Sequence, residues 1–336
     1  MILDSFRTWN RRRIQRHRLA KPVQNTPHGF KFIGLPKMMS GDYEEAELKA
    51  FRQLLPEVDL VIDAGAHYGF YVCVAQSAGV PVIAFEPDRT NVGMIAKNLQ
   101  ANGWGKDVIV LPVAVGFERG MFEMRGGGSG GTLADGFSKA PKSQVQTVPV
   151  VRIDDVVELA DRKALIIIDV EGFELNALRG AEKLLSCGNK PVLVVEIFPN
   201  EIGADKIVFR EDYLQIFELM TDAGYKTYFF GNQSLEAFEL AKLQSLFARK
   251  DPETPSGNFL FVAPENENLL PGREMSRTKL KEILDVVRVR GETGSHRDPI
   301  WSSGIDTLGE ALDNAVADTI GDRSLSDLLD EQENSE

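Results

Sequence analysis

Cysteine is scarce in this chain, and that scarcity limits its covalent framework. Only Cys73 and Cys187 occur among the 336 residues, and both stand in apolar, helix-like or strand-like surroundings. A disulfide-stapled secreted domain needs several paired cysteines, so that class is disfavoured and both thiols are predicted to be buried. Cytoplasmic residence is the corresponding expectation.

Long hydrophobic runs are also lacking. No stretch approaches the ~20 uninterrupted apolar residues of a membrane span, and the polar, arginine-rich N-terminus has no signal-peptide core. The hydrophobic content of 43% and the charged content of 26% are ordinary for a globular protein. We therefore expect no integral membrane segment.

Positive charge is in deficit, and this bears on the partners that the chain can bind. The formal net charge of -12 would repel phosphates, so no nucleic-acid partner is expected. Residues 1–18 are a local exception, because six arginines follow Ile2, Leu3 and Phe6. Two interpretations stay open: a solvated extension, or a basic amphipathic helix in weak peripheral contact with an anionic membrane.

Changes in composition predict three regions. Residues 1–40 form a basic N-terminal extension, and residues 41–263 form a domain of alternating strands and helices. Residues 264–336 form an acidic C-terminal extension that is partly helical or disordered, with a helix predicted over Lys279–Val289.

The middle region alternates short aliphatic segments with amphipathic ones. The predicted strands are Val58–Ile62, Val80–Phe85, Val108–Val113, Ala164–Ile168 and Pro191–Ile197. Helices are predicted over Asn91–Ala101 and over Glu174–Leu185, where Leu178, Ala181 and Leu185 share one face. Apolar strands that alternate with helices predict an α/β fold, with a parallel sheet and helices on both faces.

Two features interrupt this alternation. The strands Gly224–Phe230 and Asn258–Val262 are predicted to form an antiparallel hairpin at the sheet edge. The glycine-rich run Gly126–Gly131 lies between strand-like Met121–Met124 and Val145–Val151. Such a run has high backbone freedom, so a mobile lid and a simple hairpin loop both stay open.

A glycine turn and a distant acid together predict a nucleotide-like cofactor pocket. An apolar strand ends at Asp63 and enters a turn with Gly65 and Gly69 that opens a helix. A second apolar strand then ends at Glu86, at the spacing usual for an acid that binds a ribose. Such a carboxylate can accept hydrogen bonds from both ribose hydroxyls.

The acid at position 63 discriminates between cofactors. A dinucleotide fingerprint has its first glycine there, against the pyrophosphate, whereas Asp63 would repel a phosphate. S-adenosylmethionine suits the position better, because it carries a ribose, an ammonium and a sulfonium and no phosphate. Gly65 and Gly69 would admit the backbone to this ligand. Glu86 would bind the ribose through charge-assisted hydrogen bonds of roughly 1.5–3 kcal/mol each.

A second group of acids follows the strand Ala164–Ile168. Ligands bind at the carboxyl ends of strands in open α/β sheets, so Asp169 and Glu171 are site candidates. Glu174 is interpreted as a first-turn acid that complements a helix dipole. The next strand also ends in an acid, Glu196, and we expect these carboxylates at one sheet edge.

Together these motifs resemble the FkbM-type methyltransferases, from about Val58 to Val262. The stretches that carry the resemblance are Asp63–Gly69, Phe85–Pro87, Asp169–Glu174, Val195–Ile197 and Asn258–Phe261. The D-V-E-G-F-E stretch at 169–174 is the specific part. The resemblance implies a class I, Rossmann-like fold with a seven-stranded, mostly parallel sheet and an antiparallel last strand. It also implies S-adenosylmethionine-dependent O-methylation, commonly of a sugar or polyketide hydroxyl.

The resemblance further implies site residues. Those at the cofactor would be Asp63, Gly65, Ala66, His67, Gly69, Glu86 and Ala114. Those facing the transfer site would be Asp169, Glu171 and Glu196. In this scheme Glu86 holds the ribose and Ala114 lies near the adenine.

Two positions depart from the family pattern. His67 stands where the family often has asparagine, and Ile167 stands where it often has lysine. The first change keeps a hydrogen-bond donor, whereas the second removes a charge that would help to orient Asp169 or the acceptor.

Three hypotheses address how the acceptor loses its proton. Asp169 or Glu171 could be the base, with Glu196 orienting the acceptor. A divalent metal held by these carboxylates is an alternative, although no metal ligand is predicted. His67 as the base is the third, and a role for His67 in contacting the cofactor is favoured over it.

Other classes of function also stay open. The expected acceptor is a sugar, glycan or other small molecule. An NAD-dependent oxidoreductase on a similar sheet is one alternative. A catalytically silent cofactor-binding scaffold that acts through its charged tails is another. The sequence does not indicate the oligomeric state.

Overall fold

A computed structural model describes residues 20–127, 131–134, 145–200, 209–210, 212–230, 235–251 and 253–270. Three sequence-based predictions lie outside these residues. They are the arginine-rich segment 1–18, the interior of the glycine run at 128–130, and the C-terminal region from residue 271 onward with its helix over Lys279–Val289.

The aliphatic, β-branched runs form strands. These are β1 (Gln24–Asn25), β2 (Lys31–Phe32), β3 (Leu60–Ala64), β4 (Val82–Phe85), β5 (Val108–Leu111), β6 (Ala114–Val115), β7 (Gly120–Arg125), β8 (Val145–Val151), β9 (Ala164–Ile168), β10 (Val192–Ile197), β11 (Lys226–Phe230), β12 (Leu235–Phe238) and β13 (Gly257–Val262). The main sheet has the strand order β12-β11-β13-β10-β9-β3-β4-β5. Strands β5, β4, β3, β9 and β10 are parallel, as predicted.

The amphipathic segments form helices that cover both faces of this sheet. They are α1 (Pro36–Ser40), α2 (Glu45–Leu54), α3 (Phe70–Ser77), α4 (Arg89–Ala101), α5 (Glu174–Arg179), α6 (Glu182–Ser186), α7 (Asp212–Asp222) and α8 (Leu240–Ala248). Successive strand residues point to opposite faces, so Val61 packs with α1–α4 while Ile62 packs with α5–α8. None of the helices in the described ranges is long and apolar enough to cross a bilayer.

The predicted α/β fold class is confirmed. The main sheet has eight strands, one more than the seven that the family resemblance implies. The predicted antiparallel pairing of β11 with β13 is confirmed, but these strands are not a hairpin at the sheet edge, because β13 lies inside the sheet between β10 and β11. Phe259 and Phe261 are buried on one face and Leu260 on the other, which is typical of an interior strand. Helix α8 and strand β12 separate β11 from β13 along the chain, and β12 forms the edge.

The helix predicted over Glu174–Leu185 is two helices, although its apolar face is buried as predicted. The break falls at Gly180, where a Cβ atom would lie 2.1 Å from the Gly116 carbonyl oxygen. The Asp154 carboxylate then caps the second helix, accepting from the backbone N–H of Lys183 (3.0 Å) and of Leu184 (3.2 Å).

The strands that flank the glycine run belong to a separate three-stranded sheet of order β6-β8-β7. Strands β7 and β8 pair antiparallel. At the described edge of the run, the backbone N–H of Arg125 donates to the Thr132 carbonyl (2.8 Å), and the Thr132 N–H donates back (2.9 Å). Gly131, the last glycine of the run, therefore lies beside an ordered bridge.

Residues 20–40, within the predicted N-terminal extension, pack on the main core. Phe32 and Ile33 are buried beside α3 and α4. The buried side chain of Asn98 on α4 connects this segment to the turn before α3. It accepts from the Ile33 N–H (2.8 Å) and donates to the carbonyls of Ile33 (3.0 Å) and Tyr68 (2.9 Å).

Both cysteines are free thiols. Cys73 is buried on α3, as predicted. The prediction for Cys187 is wrong, because this residue is only half-buried. It follows α6, where its Sγ lies 3.1 Å from the carbonyl oxygens of Leu184 and Asn189.

Candidate active site

Four neighbouring parallel strands bring their acids to one edge of the main sheet. Asp63 lies near the end of β3, Glu86 follows β4, Asp169 follows β9, and Glu196 lies near the end of β10. All four line one cavity, together with Glu171. The predicted convergence of these acids is therefore confirmed by the strand order β4-β3-β9-β10.

The turn between β3 and α3 brings the backbone close to β9. Gly65 has a φ of +94°, and a Cβ atom there would lie 1.8 Å from the Asp169 carbonyl oxygen. Its N–H donates to the Phe85 carbonyl at 2.9 Å, which joins the turn to β4. Only glycine fits such an approach, so Gly65 keeps the ends of three strands together.

Gly69 has a different part in the same turn. It has a φ of +77° and immediately precedes α3, where a Cβ atom would lie 3.0 Å from Ile95 Cγ1. Gly65, Ala66 and His67 line the cavity, and Gly69 is outside the lining in the described part of the chain. Gly69 thus positions the helix and its packing, while the three residues before it face the cavity.

Glu86 fixes two backbone turns at the cavity. It is 5% exposed, and its two oxygens accept from the N–H groups of His67 and Asp88, each at 2.7 Å. Burial raises the pKa of Glu86 to about 8, against the lowering effect of these hydrogen bonds. Each carboxylate oxygen has a further lone pair, so Glu86 can still accept from a ligand.

Asp63 is a buried acid without a hydrogen-bond partner among the described residues. It is 3% exposed and lines the cavity. Burial, and then the charge of Asp169, raises its pKa to about 7. No donor from the described residues reaches its carboxylate, although buried polar groups are normally hydrogen-bonded. A ligand that donates hydrogen bonds or carries positive charge would satisfy it.

Asp169 and Glu196 form a carboxyl pair. The contact between the two side chains lowers the pKa of Asp169 and raises that of Glu196, in each case as a smaller effect than burial. Burial raises the pKa of both groups, and the Asp169 charge raises that of Glu196 further. Oδ1 of Asp169 is buried, and no donor in the described ranges reaches it. That oxygen is open to a donor from a ligand in the cavity.

The side chains of Glu171 and Glu174 lie in different surroundings, although the two residues are close in sequence. Glu171 lines the cavity, and burial followed by the charges of Asp169 and Glu174 raises its pKa to about 8. Glu174 is the first residue of α5 and lies outside the cavity lining. Its carboxylate accepts from the Gly172 N–H at 2.6 Å and from Arg210 Nη1 at 3.1 Å. The placement of Glu174 in the first turn of a helix is confirmed.

Three residues of the cavity wall have left-handed backbone conformations that are unusual outside glycine. Glu44, His67 and Glu171 have φ values of 45°, 50° and 52°. Such conformations cost on the order of 1–3 kcal/mol each and concentrate at functional sites. The surrounding contacts therefore hold these side chains in place against a local preference.

An apolar wall faces the acids. Ala114 on β6 lies in this wall and is buried, as are Val115 and Met124 of the small sheet. Leu133, and Phe173 just before α5, also line the cavity and are half-buried. Ile167 on β9, which stands where the family often has lysine, also lines the cavity. His67, which stands in the turn where the family often has asparagine, stacks on Tyr68 with ring centroids 3.8 Å apart.

Sequence reasoning missed a second side of the cavity. Tyr43 and Glu44 come from the loop before α2, and Tyr71 comes from α3. The Tyr71 hydroxyl donates to Glu44 Oε2 at 2.6 Å. Asn258 lies opposite Glu196 in the β10–β13 register. Asn258 begins the stretch Asn258–Phe261 that carried part of the resemblance, and that was its signal in the sequence. No local pattern marks Glu44.

The cavity is strongly acidic. Of the residues that the structure describes, seven acids line it: Glu44, Asp63, Glu86, Asp88, Asp169, Glu171 and Glu196. Within the described residues, neither lysine nor arginine lines it. Those residues also contain no cluster of His, Cys, Asp and Glu able to hold a metal ion. A ligand with positive charge and hydrogen-bond donors is the chemical complement of such a site.

Comparison with known proteins identifies the domain. Residues 63–227 match the family model described as Methyltransferase FkbM domain. A search of curated protein sequences finds no match.

Several solved structures match this chain at low sequence identity and low TM-score. A precorrin-6y C5,15-methyltransferase from Geobacter metallireducens GS-15 is 13% identical, with 72% of this chain and 99% of that chain covered and a TM-score of 0.36. The magnesium protoporphyrin IX methyltransferase from Synechocystis PCC 6803, solved with bound SAM, is 12% identical over 74% and 88%, with a TM-score of 0.34. A ribosomal protein L11 methylase from Lactobacillus delbrueckii subsp. bulgaricus is 9% identical over 67% and 80%, with a TM-score of 0.36.

The family match spans the glycine turn, Glu86 and the D-V-E-G-F-E stretch, which are the motifs that carried the resemblance. The chain therefore carries an FkbM-type methyltransferase domain over residues 63–227 and is an S-adenosylmethionine-dependent methyltransferase.

Proposed function

We propose that this enzyme transfers the methyl group of S-adenosylmethionine to a hydroxyl of a sugar, glycan or other small molecule. One observation carries the proposal. Inside the matched domain, Asp63 and Glu86 share a cavity with the Asp169–Glu196 pair. Asp63 has no hydrogen-bond donor in the part of the chain that the structure describes, and Glu86 accepts from the backbone of two turns. The first two acids suit the cofactor, and the pair suits an acceptor hydroxyl.

The residues present fit the cofactor. Asp63 would bind its ammonium, which supplies the cation and the donors that this buried carboxylate lacks. Glu86 would accept from the ribose hydroxyls with its remaining lone pairs. The turn residues Gly65, Ala66 and His67 form the adjoining backbone wall, and Ala114 would lie beside the adenine in the apolar wall. Gly69 would act indirectly, by starting α3.

The chain's own residues would align the acceptor and take its proton. When bound, S-adenosylmethionine supplies a methyl group that is activated by a sulfonium. The acceptor hydroxyl would donate to the open Oδ1 of Asp169, while Glu196 donates its proton to the other Asp169 oxygen and holds the carboxylate in place. Glu171 is the alternative base. Proton removal of this kind contributes ~10²–10⁴ in rate, and alignment contributes up to ~7–11 kcal/mol.

Calorimetry and a methyl-transfer screen test the function. We expect S-adenosylmethionine and S-adenosylhomocysteine to bind, and NAD not to bind, because Asp63 would face the pyrophosphate. Labelled methyl should then reach a hydroxylated acceptor equally well with and without a chelator. Binding of NAD without S-adenosylmethionine would contradict the proposal. Cofactor binding with no methylated acceptor would favour the scaffold alternative.

The pH dependence of kcat/KM tests the assignment of the base. Because burial raises the pKa of Asp169 above the usual carboxylate range, the base is protonated at acid pH. We therefore expect kcat/KM to rise with pH, about tenfold per unit on the acid side. The midpoint should lie above about pH 6 rather than near the ordinary carboxylate value of about 4.

Two variants of Glu196 make this test specific. Glu196→Gln keeps a donor toward Asp169, so its midpoint should stay close to that of the wild type. Glu196→Ala removes the hydrogen bond that lowers the pKa of Asp169, so its midpoint should move upward. A midpoint near pH 4 in the wild type, or identical profiles for both variants, would refute the assignment.

A further inference from the structure

A hydrogen bond from Thr132 joins the small sheet to the loop that follows β9. We propose that Thr132 is a positioning residue of this methyltransferase, and that its hydroxyl holds the main chain of Glu171 so that the Glu171 carboxyl stays in the cavity. The inference rests on the proposed function, in which Glu171 faces the transfer site. It adds a residue that acts on this site without lining the cavity.

Thr132 is held by its backbone and by its side chain. Its N–H and carbonyl both pair with Arg125 at the end of β7. Its side chain belongs to a residue that is only 2% exposed, and the hydroxyl donates to the Glu171 carbonyl at 2.5 Å. The same oxygen accepts from the Ala134 N–H at 2.9 Å. One buried residue therefore connects the small sheet to a loop of the main sheet.

Thr132 lies behind the cavity wall. Its two chain neighbours, Gly131 and Leu133, line the cavity, whereas Thr132 is outside the lining in the described part of the chain. Glu171, to which its hydroxyl donates, does line the cavity. An effect of this hydroxyl on the reaction therefore passes through Glu171.

The backbone of Glu171 needs such support. Its φ of 52° is in the left-handed region, and Gly172 follows with a φ of +96°. A residue with a side chain keeps a left-handed conformation only where its surroundings over-determine it. A return of Glu171 to an ordinary negative φ would redirect its Cβ atom, and the carboxyl would then leave its present place in the cavity.

Three side chains supply the contacts that hold this turn. The Gly172 N–H donates to Glu174 at 2.6 Å, and the Gly172 carbonyl accepts from Arg210 Nη2 at 2.8 Å. Thr132 holds the remaining group, the Glu171 carbonyl, which no other donor in the described ranges reaches. Backbone carbonyls away from water are nearly always paired. Loss of the Thr132 hydroxyl therefore favours rotation of the peptide between Glu171 and Gly172.

Electrostatic repulsion acts in the opposite direction to the hydrogen bond from Thr132. The charged groups that act on or respond to Glu171 are all acids: Asp169 after β9, Glu174 at the start of α5, and Glu196 on β10. Burial, followed by the charges of Asp169 and Glu174, raises the pKa of Glu171 to about 8. The pKa of Glu171 is therefore a measure of whether its side chain stays in the cavity.

A titration of Glu171 tests the inference in the full chain saturated with S-adenosylhomocysteine. The carboxyl carbons are followed by ¹³C NMR, and Glu171→Gln assigns the signal. The wild-type midpoint should lie near the raised value of about 8. Thr132→Val keeps a β-branched side chain but removes the donor, so the midpoint should fall by about one pH unit or more, toward the ordinary glutamate value of about 4.3. Thr132→Ala removes the same hydroxyl without placing a new methyl group against the carbonyl, and it should show the same fall.

Two further variants separate positioning from a general loss of stability. Thr132→Ser keeps the hydroxyl and should restore the wild-type midpoint. Thr254→Val is the matched control, because Thr254 is 6% exposed and its hydroxyl donates to the Asp251 carbonyl at 2.7 Å, outside the described cavity lining. It should leave the Glu171 midpoint unchanged. S-adenosylhomocysteine affinity, measured by calorimetry, should be similar in all these variants.

The outcomes distinguish this inference from the proposed function. It is overturned if Glu171 titrates alike in the wild type and in the two variants without the hydroxyl, if Thr132→Ser behaves like Thr132→Val, or if Thr254→Val lowers the midpoint as much. Normal S-adenosylhomocysteine binding alongside any of these results leaves the methyltransferase proposal intact. Failure of the wild type to bind S-adenosylhomocysteine would instead contradict the proposed function itself.

Discussion

Replacing Gly65 with alanine should cost this enzyme at least ~100-fold in methyl transfer, because the new methyl group collides with the backbone of β9. A Cβ atom at position 65 would lie 1.8 Å from the Asp169 carbonyl oxygen, and the φ of +94° is unfavourable for any L side chain. Relief of the clash must move the end of β9, and with it Asp169, by an ångström or more. Misplacement on that scale costs about 10²-fold in rate. The free energy of unfolding should fall by about 3 kcal/mol or more, a value reached only by severe local disruption.

Gly79→Ala is the matched control for this substitution. Gly79 has a similar φ of +76°, but a Cβ atom there would have no neighbour within 4 Å. The Gly79→Ala substitution should lower the free energy of unfolding by only about 1–2 kcal/mol, the cost of a left-handed backbone for a residue with a side chain. It should leave S-adenosylhomocysteine binding unchanged. Urea unfolding and calorimetry on both variants provide the comparison. Equal effects of the two substitutions would show that the approach of Gly65 to β9 is unimportant.

Replacing Asp169 with asparagine should lower kcat by ~10²–10⁴, the usual contribution of a positioned base. Asparagine has nearly the same shape, and the backbone N–H of residue 169 would still donate to the Ala64 carbonyl at 3.0 Å. S-adenosylhomocysteine affinity should therefore stay within a few-fold of the wild type. The thermal stability of the ligand-free protein should not fall, because the charge that acts on Asp63 is removed.

Glu171→Gln provides the comparison between the two candidate bases. If Asp169 is the base, this second variant should lose far less activity than Asp169→Asn under the same saturating conditions. Initial rates of labelled-methyl transfer give the comparison directly. Undiminished methylation by Asp169→Asn would remove this residue from the mechanism, and a larger loss in Glu171→Gln would transfer the role to Glu171.

The sequence allowed the central sheet to be predicted because its strands are buried on both faces. The strand over Ala164–Ile168 has the bounds predicted for it, and that over Val108–Val113 ends two residues early, at Leu111. The site acids on these strands followed from the same pattern, since carboxyl ends of parallel strands meet at one edge. Asp63, Glu86, Asp169 and Glu196 indeed share one cavity.

What escaped prediction depends on contacts between distant segments. Glu44 reaches the cavity because Tyr71 and the packing of the segment before α2 hold it there. The break at Gly180 depends on the approach of Gly116, which lies far away in sequence. Arg210 pairs with Glu174 across 36 residues. No periodicity or local motif contains such information.

The hydrogen bonds of Asn98 have a consequence for the smallest fragment that could keep this pocket. Its amide joins Ile33 to the carbonyl of Tyr68, so the polypeptide ahead of β3 is attached to the turn that lines the cavity. Leu35 and Met38 from that stretch also line the cavity. A fragment trimmed to begin at Gly41 would lose part of the pocket wall and leave a buried amide without its partners.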